Sequence, residues 1–135
     1  MSEIYQTELL KLAGRASGAG RLDAPDASAT AHNPMCGDRI TMDLRLDNGT
    51  VTDLGYAVRA CLVCQASASL AGEGFRGQTV AGIDALRDAV DAYLKDAGPA
   101  PEGYAVFEPV RQHLSRHTCV LLPFDAVEKA ASGED

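Results

Sequence analysis

The chain has 135 residues, a formal net charge of −7 at neutral pH, and 46% hydrophobic against 23% charged residues. These figures predict one soluble domain over residues 1–135, long enough to bury a core without disulfide staples. They argue against a general nucleic-acid binder, which needs a basic surface to meet phosphates, and no apolar run approaches the ~20 residues of a membrane span. The opening Met-Ser-Glu-Ile-Tyr-Gln lacks the basic and apolar stretches of a secretory signal, so the expected compartment is the cytoplasm.

Tyr5, Leu9 and Leu12 have helical spacing after Ser2, a possible cap, and the glycines and serine of Gly14 to Gly20 stop that helix. Residues 18–30 read as a loop running into an extended piece before Pro34. Ile40, Met42, Leu44 and Leu46 alternate with Thr41, Asp43, Arg45 and Asp47, the period of a half-buried strand. Asn48-Gly49 then signals a hairpin, with a second strand from about Val51 to Val58. Two strands are marginal alone, so a third is expected at about Ala27 to His32.

From about Gln65 to Phe75 the chain turns helical, rich in Ala, Ser and Leu. Ile83, Leu86, Val90, Tyr93 and Leu94 predict an amphipathic helix ended by Gly98-Pro99, with Asp84, Asp88 and Asp91 on its solvated side. Pro109 is expected in the first turn of a helix carrying Val110 and Leu114. A last helix carries Val120, Phe124, Val127 and Ala131. Placing Pro123 in its first turn starts it just after Cys119. Strands first and helices after make an α+β pattern: a small antiparallel three-stranded β-sheet packed with about four to five α-helices.

The four cysteines, Cys36, Cys61, Cys64 and Cys119, carry the chemistry. In a reducing compartment, spaced cysteines point to metal or sulfur chemistry more than to staples. Cys36 lies in the turn before the first hairpin strand. Cys61 lies between the second strand and a helix, and Cys119 just before the last helix. A helix N-terminus stabilises a thiolate, the form that binds metal and attacks sulfur. Asp38 adds an oxygen donor two positions after Cys36, with Gly37 freeing the backbone between them. Three thiolates and one carboxylate suit Zn²⁺ or the edge of an iron–sulfur cluster.

The run His32-Asn33-Pro34-Met35-Cys36-Gly37-Asp38 resembles the Asn-Pro-x-Cys-Gly-Asp signature of the U-type iron–sulfur assembly proteins (IscU, SufU and the N-terminal part of NifU). Gly20-Arg21-Leu22-Asp23-Ala24-Pro25-Asp26 is similar to the loop upstream of it. Cys61 with Ala66-Ser67-Ala68-Ser69 resembles their second cysteine and its helix. The run from Arg116 to Phe124 resembles their third cysteine and C-terminal helix.

The resemblance implies one site of Cys36, Asp38, Cys61 and Cys119. The 58 positions from Cys61 to Cys119 hold an extra helix. Thr118 stands where the IscU branch has histidine, and Arg116 matches an Arg-x-x-Cys pattern. These features are closest to the SufU branch. By that resemblance the chain takes persulfide sulfur from a cysteine desulfurase in a zinc-dependent way, as a possible sulfurtransferase. Cys119 would be the acceptor and Arg116 a ligand switch. The alternative is an IscU-like scaffold holding a transient [2Fe–2S] cluster on the same residues and passing it to downstream assembly or acceptor proteins. Neither reading calls for nucleic acid or membrane.

Cys64 departs from the family pattern. It stands at i, i+3 from Cys61 and reads as a packed helix residue, an extra ligand, a sulfur relay or half of a redox pair. His32, His113 and His117 read as surface or packing residues, His117 reaching the site only if its loop bends.

Overall fold

A computed structural model describes residues 3–35 and 37–133. The expected Ser2 cap, the Tyr5 side chain and Cys36 lie outside the described residues. The element order is α1 (Glu3–Arg15), β1 (Ala27–Asn33), β2 (Asp38–Asp47), β3 (Thr50–Arg59), α2 (Leu62–Gly74), α3 (Val80–Leu94), a 3₁₀ helix (Tyr104–Val110) and α4 (Leu114–Ser132). The strands form one antiparallel sheet in the order β1-β2-β3. The α+β expectation holds, with four α-helices and one 3₁₀ helix.

Alternation in β2 places Ile40, Met42 and Leu44 on one face, each fully buried. They share a core with Val120, Phe124 and Val127 of α4, which packs across β1 and β2. The α2 helix lies between α1 and α4, and α3 packs on α4. Asn48 and Gly49 both have positive φ, the requirement of the tight hairpin that joins right-twisted strands.

The other face of the sheet is not simply solvated. Asp43 lies on it and is fully buried, because the segment after α1 folds over it. Its carboxylate accepts from Arg21 Nε at 2.6 Å, Arg21 Nη2 at 3.0 Å, Leu22 N–H at 3.1 Å and Ser28 Oγ at 2.6 Å. The segment is also tied to β3 through Gly20 N–H to the Tyr56 carbonyl at 2.8 Å. Gly55 lies directly beneath it, and a Cβ there would run into the Gly20 carbonyl.

Two helix expectations are corrected. Pro109 is not in the first turn of a helix with Val110 and Leu114. It is next to last in the 3₁₀ helix, and Leu114 instead opens α4. The last helix does not start just after Cys119. It starts at Leu114, so Cys119 is inside it and Pro123 sits at mid-helix. Proline brings no N–H to the carbonyl of residue 119. Packing offsets that loss: Phe124 stacks against Phe75 and Tyr104, and Ser67 Oγ donates to the neighbouring Val120 carbonyl.

Candidate metal centre

The β1–β2 turn brings Asn33 opposite Asp38. Asn33 organises the turn, its side-chain oxygen accepting from Met35 N–H at 3.0 Å and its carbonyl from Gly37 N–H at 2.8 Å. Gly37 has φ +76°, a conformation glycine adopts without a Cβ clash. Asp38 opens β2 and is only 3% exposed.

At the far end of β3, Cys61 caps α2 in an extended conformation. Asp38 Oδ1 accepts from the Cys61 N–H at 2.9 Å, and Asp38 Oδ2 lies 3.3 Å from the Cys61 sulfur. Cys119, fully buried in the second turn of α4, completes the group. One ligand atom from each of Asp38, Cys61 and Cys119 lies within 4.8 Å of the others.

The two thiols divide their protons unequally. Cys61 is lowered to about 6, first by a hydrogen bond from the Cys119 thiol and further by the Cys64 N–H, against burial and Asp38. Cys119 is pushed far up by the same bond to Cys61, by burial and by Asp38. The expected helix N-terminus is present at Cys61, which caps α2, and absent at Cys119, which lies inside α4. Arg116 lies one turn before Cys119 on the same face of α4. Its guanidinium pKa is raised, first by the charge of Cys61 and then by its hydrogen bond to Cys119. It faces both thiols.

The remaining candidates fall elsewhere. Cys64 is fully buried in the apolar core and lies outside the Asp38–Cys61–Cys119 group. His117 is buried with its Nε2 at 2.9 Å from the Arg111 carbonyl. His32 is exposed, and His113 lines a cleft beside Cys61. One contributor went unnoticed in the sequence: the buried Asn33, whose side-chain amide is 4.0 Å from the Cys119 sulfur. Its place directly before Pro34 was visible, but its burial against α4 was not.

One carboxylate oxygen and two sulfurs gathered this closely are a donor set Zn²⁺ accepts. The residues present fit a metal.

Sheet, helices and donor set together define a class of small α+β proteins with sulfur and oxygen donors gathered at one end of a three-stranded antiparallel sheet. The family described as NifU-like N terminal domain matches residues 4–107, and the chain belongs to that family, which includes IscU and SufU. The match contains Cys36, Asp38 and Cys61, while Arg116 and Cys119 lie beyond it. The chain is 26% identical over 131 residues to the iron–sulfur cluster assembly scaffold protein IscU of Thermotoga maritima, covering 94% of this chain and 92% of that protein. It is 25% identical over 108 residues to the zinc-dependent sulfurtransferase SufU of Bacillus subtilis, covering 77% and 74%. The solved N-terminal part of a nitrogen-fixing NifU-like protein from Brucella abortus is 41% identical with a TM-score of 0.87, over 96% of this chain and 92% of that one.

Proposed function

We propose that this chain is an iron–sulfur cluster assembly protein that accepts sulfur from a cysteine desulfurase, in the manner of its zinc-dependent relative. The observation that carries the reading is Arg116, an exposed cation one turn before Cys119 whose guanidinium lies beside the Cys61 and Cys119 sulfurs. A guanidinium there can take over the charge of a donor when one thiolate leaves the set, which a sulfur acceptor needs.

Cys36, Asp38, Cys61 and Cys119 would hold Zn²⁺. Bound there, zinc keeps thiols deprotonated and orders the site. Cys119, as the thiolate, attacks the outer sulfur of the desulfurase persulfide. The S–S bond breaks, the desulfurase leaves with its own thiolate, and Cys119 carries the persulfide. Arg116 meanwhile faces the charge left on Cys61 and Asp38.

Similarity along nearly the whole length to an IscU scaffold supports a second reading. Here the same residues carry a [2Fe–2S] cluster as cargo for downstream proteins, and the carboxylate makes that cargo easy to release.

Metal and acid-labile sulfide in protein purified without oxygen separate the two. About one zinc per chain without sulfide, together with faster desulfurase turnover on adding the protein, supports the sulfur acceptor. Iron with matching sulfide and no effect on the desulfurase supports the scaffold.

A further inference from the structure

Cys64 takes no part in either reading, yet its position relative to Cys61 is specific. Cys61 caps α2, is half-buried, and opens onto a cleft of about 350 Å³ lined also by Leu62, Val63, Val110, His113 and Arg116. Cys64 is one turn further along the same helix and fully buried. The pair therefore has an accessible sulfur on the helix cap and a shielded sulfur on the same face one turn inside. That division of exposure lets the outer thiol meet a disulfide and the inner one finish the exchange.

We propose that Cys61 and Cys64 form a thiol–disulfide exchange site whose substrate is a small, exposed disulfide of the glutathione type. The Cys61 thiolate attacks one sulfur of the substrate. The substrate S–S bond breaks, one small thiolate leaves, and Cys61 becomes a mixed disulfide. The Cys64 sulfur, having given up its proton, then attacks the Cys61 sulfur and expels the second small thiolate. Two electrons pass from the protein thiols to the substrate, and the two thiol protons end on the two small thiols. The Cys61–Cys64 bond removes Cys61 from the donor set, and a dithiol reductant returns it.

Cys119 is the rival partner, since its sulfur also lies near Cys61. It differs in being held from two sides, by Arg116 and by the Asn33 amide, on a separate helix. Cys64 shares one helical turn with Cys61, so their approach does not depend on how α4 lies.

The test uses the full chain treated with a chelator and then with oxidised glutathione, read by intact mass and by mapping of cross-linked peptides. The expected product has lost two hydrogens, retains no glutathione and maps to Cys61–Cys64. Cys64→Ala should stop at one glutathionyl group on Cys61, persisting roughly tenfold longer than in the parent chain. Cys119→Ala should still close the bond. A cross-link from Cys61 to Cys119 or to Cys36, or glutathionyl persisting equally in the parent and in Cys64→Ala, overturns the proposal. Mapping of the parent chain needs no variant to fold. Metal content and desulfurase stimulation are read separately, so the outcome is independent of the sulfur-acceptor reading.

Discussion

Asp38 binds the Cys61 N–H with one oxygen and faces the Cys61 sulfur with the other, so it fixes the cap of α2 as well as offering a donor. Removing it should cost more than one ligand. Asp38→Ala, Cys61→Ala and Cys119→Ala should each weaken zinc affinity by roughly 10–100-fold or more, measured by competition with a chromophoric chelator. Asn33→Ala should lower affinity by about tenfold without removing a donor, because its amide orients the Cys119 sulfur. Arg116→Ala should bind zinc nearly as the parent does but lose most of the desulfurase stimulation, and Arg116→Lys should recover only part of it. Equal stimulation by Arg116→Ala and the parent would remove the support for a ligand switch.

At the level of elements, α2 approaches the segment after α1 so closely that a Cβ on Gly72 would run into the Ser17 carbonyl. Gly72→Ala should therefore destabilise the protein by about 1–3 kcal/mol in urea unfolding. Gly74, with nothing within 4 Å of its Cβ position, is the control, and Gly74→Ala should change stability by less than about 0.5 kcal/mol. The strands were legible because alternation and Asn-Gly are local signals. The β1 expectation of Ala27 to His32 ended one residue from the observed Asn33. The α4 start was not legible. Proline's local rule places Pro123 in a first turn, but Phe124, Val120 and Val127 bury enough apolar surface to hold a helix through it. That correction also matters chemically, since it moves Cys119 from a helix end into a buried turn.

Over the whole molecule, Asp43 joins three distant pieces: Arg21 and Leu22, Ser28 of β1, and its own strand. Burial pushes its carboxyl up, but bonds from Arg21, Ser28 and the Leu22 N–H outweigh this and hold it below the usual carboxylate range. A folded value below the unfolded one, about 3.9, means the contribution is fully present above that pH. It is lost as pH falls through the folded value. Asp43→Asn should cost on the order of 2 kcal/mol at neutral pH. It should also flatten the loss of stability below about pH 4, followed by urea unfolding across pH. A variant as acid-sensitive as the parent would show that other carboxylates govern the acid limb.

The α+β order, the hairpin, the cysteine and aspartate positions and the family pattern were all readable along the chain. Each is written in short-range periodicity or in ordered motifs. Folding in three dimensions is what turns Arg116 toward the thiols, packs Cys64 inward, brings Asn33 to Cys119 and buries Asp43 on a face its alternation marked as polar. Arg116 and Cys61 are 55 positions apart, and Asn33 and Cys119 are 86 apart. Contacts of that span depend on how α4 lies across the sheet. That placement comes from burying many apolar side chains at once, and no local pattern records it.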